Sequence, residues 1–187
     1  SYHIKNIQKY LKRKKIKFIK FREPGGSMNS EKIRKIILNN KSKFHKLTDL
    51  FLYLASRNEN IQSIIKKNHK KKVILIDRFK DSTLAYQHYG MNINKKLINN
   101  LNNIVLKNIK PNFTFLNIVN MKNLKLRINR RKKNRYDKFN NKFYNKVQKG
   151  YIKLAKNKKN YMIVNSNNNI IENKLKIQKK INLLLSI

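Results

Sequence analysis

The chain has 187 residues, of which 40% are apolar and 10% aromatic, and its 47 basic residues outnumber 8 acidic residues to give a net charge of +39. This size and apolar content predict one folded domain over residues 1–187. The absence of cysteine excludes disulfide bonds and thiolate metal sites. Because no leading signal segment and no apolar run of membrane-spanning length occurs, we expect a cytoplasmic protein without a membrane partner.

The positive charge is compatible with nucleic-acid binding, because clustered lysine and arginine replace the counterions of a phosphate backbone. Here the lysines run through almost every segment and are mixed with asparagine and isoleucine. These three residues have A/T-rich codons, so drift in composition explains the bias without any partner. We therefore expect no specific nucleic-acid partner, and a basic RNA-binding protein stays the alternative.

The spacing of apolar residues predicts that helices and strands alternate along the chain. The predicted helices cover residues 3–14, 33–37, 47–65, 97–105, 139–155 and 170–181, with a further one beginning at residue 124. The predicted strands cover residues 16–21, 73–76, 113–118 and 161–164. The basic segment 127–135 has nothing to bury and is predicted to be a mobile loop. This order is typical of an α/β domain with a parallel sheet flanked by helices.

Four polar groups are candidates for chemistry, and each has an ordinary structural explanation. Residues 22–27 contain Pro and two Gly, which are typical of a tight turn. Asp77 and Arg78 end a buried strand, where an ion pair is common. Residues 127–135 resemble a solvated helix end. The fourth group is the pair Tyr53 and Arg57, which has the spacing of a cation–π contact on a helix.

Taken in chain order, these segments resemble the thymidylate kinase family. The family's T-R-E-P-G-G-T loop appears here as F-R-E-P-G-G-S at residues 21–27. Its D-R-Y/F and S-x-x-A-Y-Q motifs appear at residues 77–79 and 82–87. Its P-D-L-T strand appears as P-N-F-T at residues 111–114, and its R-x-E lid motif as R-Y-D at residues 135–137. The order and separation of these motifs make the resemblance specific over the whole chain.

The family also has a first strand followed by F-E-G-x-D-G-x-G-K-S/T, a loop whose backbone N–H groups bind the ATP phosphates. This sequence contains no such segment, and Ser1 falls at or next to the position of its final Ser/Thr. We therefore expect a P-loop NTPase-type sheet with its central first strand and P-loop absent from this chain. The chain alone is then expected to be inactive, and an inactive remnant of the kinase is a second alternative.

The resemblance implies that the chain transfers the γ-phosphate of ATP to dTMP. It implies that Arg78 and Arg57 hold the acceptor phosphate, that Tyr53 stacks on thymine, and that Tyr86 disfavours a ribose 2′-hydroxyl. The remaining residues implied for dTMP are Thr83 and Gln87, at the base edge and sugar, and Arg22 and Pro24 in the loop. A kinase for another nucleoside monophosphate is a third alternative, against which Tyr53, Thr83 and Tyr86 argue.

The resemblance also implies the groups on the ATP side. Asp77 and Ser1 would bind Mg²⁺, and Ser1 would also contact ATP. The lid would cover residues 127–138 and supply Arg135, Arg130 and Arg131 as catalytic residues, with Arg135 first. The family resemblance further implies a homodimer.

Overall fold

The computed structural model describes residues 2–130 and 132–186, so Ser1, Arg131 and Ile187 lie outside the described residues. This part of the chain forms nine α-helical segments and four strands. The helices are α1 Tyr2–Arg13, α2 Met28–Leu38, α3 Lys46–Asn60, α4 Lys66–Asn68, α5 Lys80–Thr83, α6 Lys95–Leu106, α7 Met121–Asn129, α8 Asn141–Ala155 and α9 Ile170–Leu185. The strands are β1 Phe18–Arg22, β2 Val73–Asp77, β3 Thr114–Ile118 and β4 Tyr161–Asn165.

The four strands form two parallel pairs. Strand β1 pairs with β2 so that Arg22 lies opposite Asp77 at their carboxyl ends. Strand β3 pairs with β4 so that Ile118 lies opposite Asn165. Within residues 2–130 and 132–186 the two pairs are separate two-stranded sheets. The predicted α/β class with parallel strands is confirmed, and the segments that follow β1 and β2 meet at one sheet edge.

Both faces of strand β2 are covered by helices, which explains its continuous apolar sequence. Val73 and Leu75 pack against the cluster formed by α1 and α9. Ile74 and Ile76 pack against a second cluster, to which the region after α3 and the end of α6 contribute. Because successive side chains of a strand point to opposite faces, β2 contributes apolar side chains to the helical layers on both faces of the sheet.

Asparagine side chains begin many of the helices. In each case the Asn side-chain oxygen accepts a hydrogen bond from a backbone N–H group in the first turn, which satisfies a donor that has no partner within the helix. These capping residues are Asn94 before α6, Asn120 before α7, Asn140 before α8 and Asn169 before α9. The asparagine-rich composition thus contributes directly to where helices start.

Three local features differ from the sequence prediction. Helix α3 continues into a π-helical turn at Ile61–Ile65, and α5 continues into another at Leu84–Gly90. The segment 127–135, predicted as a loop, is helical as far as Asn129, and a 3₁₀ turn follows at Arg135–Lys138. We call Arg135–Lys138 the lid turn. Its capping box, formed by Asn134 and Asp137, gives this polar segment a defined backbone without an apolar face.

None of the helices in the described ranges combines the length and the apolar composition that crossing a bilayer requires.

Candidate active site

The loop after β1 is held by side chains from α2 and α3. Gly25 and Gly26 have φ angles of 105° and 124°, which L-residues with a Cβ rarely adopt. The Gly25 N–H donates to the hydroxyls of Ser30 and Ser56, each at 3.2 Å. The Asn60 amide accepts from Ser27 N–H at 2.9 Å and donates to the Gly25 carbonyl at 2.8 Å. These hydrogen bonds fix the loop, in which Pro24 is buried.

A buried ion pair lies directly behind the loop. Arg57 is 1% exposed, and its Nε donates to Glu23 Oε2 at 2.8 Å while Nη1 donates to Asn102 Oδ1 at 2.7 Å. Burial raises the pKa of Glu23, and the nearby Arg57 opposes this rise. Arg57 thus joins the loop to α6. Its expected contact with an acceptor phosphate stays a prediction.

Arg78 lies where β2 ends, in the left-handed backbone region with φ of 70°. Its guanidinium carbon is 5.0 Å from the centre of the Tyr86 ring. The Tyr86 oxygen raises the pKa of Arg78, and the phenols of Tyr151 and Tyr53 act in the same direction. Arg78 is exposed to solvent at this end of β2. It is therefore an exposed cation at the sheet edge, and its expected contact with the acceptor phosphate stays a prediction.

Aromatic rings from four elements form one connected cluster that includes Tyr86, the ring beside the Arg78 guanidinium. The Tyr136 ring makes edge contacts with Tyr53 at 6.0 Å and with Tyr86 at 5.9 Å. Tyr86 also contacts Phe143 at 5.9 Å and Tyr151 at 6.5 Å, measured between ring centres. Burial raises the pKa of Tyr151 to about 12 and also raises that of Tyr53 and Tyr136, so these phenols are neutral near pH 7. Tyr53 and Tyr86 were predicted as site residues, whereas Tyr136, Phe143 and Tyr151 were not.

Two buried polar side chains on the same helix as Tyr86 have an atom without a hydrogen-bond partner among the described residues. These atoms are Oγ1 of Thr83 and Nε2 of Gln87, and each residue is 1% exposed. A buried polar atom without a partner is costly, and a ligand that supplies the partner removes this cost. Positions 83 and 87 are four apart and lie on one face of the helix. The family resemblance implies that both residues contact the base edge and sugar of dTMP, which stays a prediction.

The lid turn lies against the first turn of α3. Arg135, the first candidate for catalysis, forms an ion pair with Asp49 through Nη2, and its Nε donates to the Ile37 carbonyl at 3.0 Å. The Tyr136 hydroxyl donates to the other oxygen of Asp49. Arg130 is exposed at the end of α7, and Arg131 lies outside the described residues. The Arg135 guanidinium is therefore bound by the Asp49 carboxylate and the Ile37 carbonyl. No pattern in the sequence predicted that Asp49 binds the lid turn.

The carboxyl ends of β1 and β2 carry the candidate metal ligand. Asp77 is half-buried there, and its carbonyl accepts from Glu23 N–H at 2.9 Å. Arg22, opposite Asp77, is exposed and forms an ion pair with Glu31 at 3.5 Å. No group of three His, Cys, Asp or Glu side chains gathers within the described ranges. One carboxylate is a sufficient protein contribution for Mg²⁺ when phosphate oxygens and water complete the shell. Asp77 fits that role, and Ser1 lies outside the described residues.

Parallel strands covered by helices, with an arginine, aromatic rings and unpaired polar atoms beyond their carboxyl ends, are typical of a ligand-binding α/β protein. The family comparison is more specific, because residues 1–177 match the sequence profile described as thymidylate kinase. The chain belongs to the thymidylate kinase family.

Individual relatives agree with this assignment. The thymidylate kinase of Mycoplasma capricolum subsp. capricolum is 39% identical over 170 residues, which cover 88% of this chain and 80% of that protein. The thymidylate kinase of Thermosipho africanus is 35% identical, with 88% of this chain and 82% of that protein covered. A crystal structure of thymidylate kinase from Ehrlichia chaffeensis superposes with a TM-score of 0.70 at 29% identity, covering 88% of this chain and 80% of that one.

Proposed function

We propose that the chain transfers the γ-phosphate of ATP to dTMP and gives dTDP, a step of dTTP biosynthesis in the cytoplasm. Family membership supports the reaction. The structural observation that carries the choice of acceptor is the cluster of Arg78, Tyr53 and Tyr86 beside two unpaired polar atoms, Thr83 Oγ1 and Gln87 Nε2. It combines a cation for a phosphate, rings for a base and donors for the base edge.

The acceptor would lie across this cluster with its phosphate at Arg78. A planar guanidinium can hold two phosphate oxygens at once, which fixes the orientation as well as the position of the acceptor. Tyr53 would stack on the thymine ring, while Thr83 and Gln87 would pair with its polar edge. Tyr86, which packs under Arg78, would occupy the space that a ribose 2′-hydroxyl needs. These contacts favour a deoxyribonucleotide with a pyrimidine base.

Positioning and positive charge are the main protein contributions to phosphoryl transfer. Asp77, together with Ser1, would hold Mg²⁺, which neutralises charge on the phosphates when it is bound. Arg130 and Arg131 would bring cationic side chains from the lid to the transferring phosphate. Arg135 remains a candidate for this role only if it leaves Asp49.

We also propose a homodimer, formed through α3 and α6. These neighbouring helices expose large apolar side chains, with Phe51 52% and Ile104 69% exposed. Exposed apolar patches mark interaction surfaces, and a second copy of the chain would cover this one. Light scattering should give twice the chain mass, and Ile104→Lys should reduce it to the mass of one chain. A single-chain mass for the unaltered protein would reject the dimer.

A direct test is diphosphate formation from a panel of acceptors. The chain, together with any residues that precede Ser1 in its gene, is incubated with ATP, Mg²⁺ and either dTMP, dUMP, dGMP or CMP. We expect dTDP to form fastest. Equal use of all four acceptors would reject dTMP specificity, and no diphosphate with any of them would reject the kinase assignment. Binding of RNA with no kinase activity would favour the basic-protein alternative.

A further inference from the structure

Asp49 is a buried carboxylate with both oxygens bound by the lid turn. It lies in the first turn of α3 and is 1% exposed. Oδ1 accepts from Arg135 Nη2, and Oδ2 accepts from the Tyr136 hydroxyl. An acidic side chain of this kind is unusual in a chain with 8 acidic and 47 basic residues. The two contacts join positions that are 86 and 87 residues apart.

Further hydrogen bonds attach the lid turn to the same place. Arg135 Nε donates to the Ile37 carbonyl at 3.0 Å, at the end of α2. The side chain of Asn40 donates to the Lys133 carbonyl at 3.2 Å. The Arg135 guanidinium also lies 5.3 Å from the centre of the Phe44 ring. The lid turn is therefore docked on the connection between α2 and α3, with Asp49 as its only acidic contact among these described partners.

The docked position places the Tyr136 ring beside the proposed thymine site. Tyr136 is 6% exposed and touches the rings of both Tyr53 and Tyr86. One carboxylate thus fixes the hydroxyl of a phenol whose ring lies beside the proposed thymine site. Movement of the lid turn away from Asp49 would take this ring away from Tyr53 and Tyr86.

The attachment of the lid turn to α3 depends on Asp49, Arg135 and Tyr136 together. Burying a carboxylate is costly unless it is paired and hydrogen-bonded. Arg135 supplies the charge, and Tyr136 supplies a hydrogen bond to the second oxygen. When the lid turn moves away, water has to replace the Arg135 guanidinium and the Tyr136 hydroxyl as partners of the Asp49 carboxylate. The carboxylate therefore favours two discrete positions of the lid turn, docked or solvated.

We propose that Asp49 is a positioning residue that docks the lid turn so that Tyr136 completes the thymine site. Arg135 acts through Asp49 in this arrangement, and it does not contact the transferring phosphate while docked. This inference rests on the proposed function and deepens it, because it assigns acceptor affinity to a carboxylate that never touches the nucleotide.

The first experiment measures nucleotide affinity in variants of the docking contact. Asp49→Asn removes the charge, and Tyr136→Phe removes only the hydroxyl and keeps the ring, so that it tests the contact even if Asp49→Asn folds poorly. Each should weaken dTMP binding about tenfold, the loss expected for one charge-assisted hydrogen bond. The affinity for ATP should change much less. Because the two variants break one contact, their effects should not add in the double variant.

The second experiment follows the lid turn itself. The chain has no cysteine, so spin labels can be attached at Lys43→Cys, before α3, and Lys138→Cys, in the lid turn. Both lysines are exposed. The label-to-label distance should be short and narrowly distributed with dTMP, and longer and broader when Asp49→Asn is added. Glu172→Gln, which breaks the exposed Lys176–Glu172 pair at 3.1 Å on α9, is the matched control and should change neither readout.

The outcomes separate the two proposals. Normal dTMP affinity and an unchanged distance distribution in Asp49→Asn and Tyr136→Phe would overturn the role of Asp49 and leave the kinase assignment intact. A lower unfolding midpoint with unchanged dTMP affinity would also overturn it, because the contact would then be structural only. Failure of the unaltered chain to bind dTMP would overturn the proposed acceptor and, with it, the role of Asp49 in thymine binding.

Discussion

Arg57 donates its Nε to Glu23 across 2.8 Å, with both side chains almost completely buried. The bond connects the loop after β1 to the last turn of α3, so the loop and the helix that carries Tyr53 have a common anchor. Removing one member of a buried pair leaves an uncompensated charge. We expect Arg57→Met to lower the free energy of unfolding by about 3–5 kcal/mol. Urea unfolding measures this, and a loss below about 1 kcal/mol, the value of an exposed pair, would contradict it.

Glu23 should also give stability a pH dependence. Its folded-state pKa is raised above the ordinary value of 4.5, so the folded state binds the proton more tightly than the unfolded state does. This contribution is fully present below pH 4.5 and is lost as the pH rises through the raised pKa. Glu23→Gln should therefore lose less stability than the unaltered chain between pH 4.5 and neutrality. If plots of the unfolding midpoint against pH are parallel for Glu23→Gln and the unaltered chain, the raised pKa of Glu23 is excluded.

Arg78 should dominate the binding of the acceptor phosphate. Arg78→Ala should weaken dTMP binding by about 1.5–3 kcal/mol, as expected for a hydrogen bond to a charged group. Arg78→Lys should recover part of this loss, because it keeps the charge but not the planar fork. Lys12→Ala, an exposed lysine on α1, is the control for general attraction to a basic surface. Equal losses in Arg78→Ala and Lys12→Ala would remove the specific role of Arg78.

Thr83 offers a test in which stability and binding change in opposite directions. Thr83→Val keeps the shape and removes the buried hydroxyl that has no described hydrogen-bond partner. Stability should stay the same or rise by about 1 kcal/mol, because a buried unpaired polar atom is lost. The affinity for dTMP should fall by about 1 kcal/mol or more if the hydroxyl pairs with the base. Reduced stability with unchanged dTMP affinity would show that the hydroxyl serves the fold.

The sequence predicted the sheet edge well because parallel strands bring their carboxyl ends together. Residues 22–27 and the Asp77-Arg78 pair are far apart in the chain, and the pairing of Arg22 with Asp77 makes them neighbours. Strand β2 was also predictable, since both of its faces are covered and its sequence is continuously apolar. These features depend on local patterns and on one general rule of α/β folds.

The lid contacts could not be predicted from such patterns. Asp49 has an ordinary position in the first turn of an amphipathic helix, and its partners lie 86 and 87 residues later. The basic segment before the lid turn has no apolar face, so periodicity carried no information about where it docks. The π-helical turns likewise have no signal in spacing alone. Arg135 was accordingly predicted at the phosphate, whereas the structure pairs it with Asp49.

The most direct test of the proposed acceptor site is calorimetry of nucleotide binding to the folded chain. dTMP, dUMP and dGMP are compared at low and at physiological salt, with Arg78→Ala measured alongside. Specific binding should favour dTMP, persist at physiological salt and weaken in Arg78→Ala. We expect this because Tyr53 and Thr83 would contact the base, so that binding does not depend only on the attraction between charges, which salt screens. Equal, weak binding of all three nucleotides that disappears with salt would show only attraction to a +39 surface and would contradict the acceptor site.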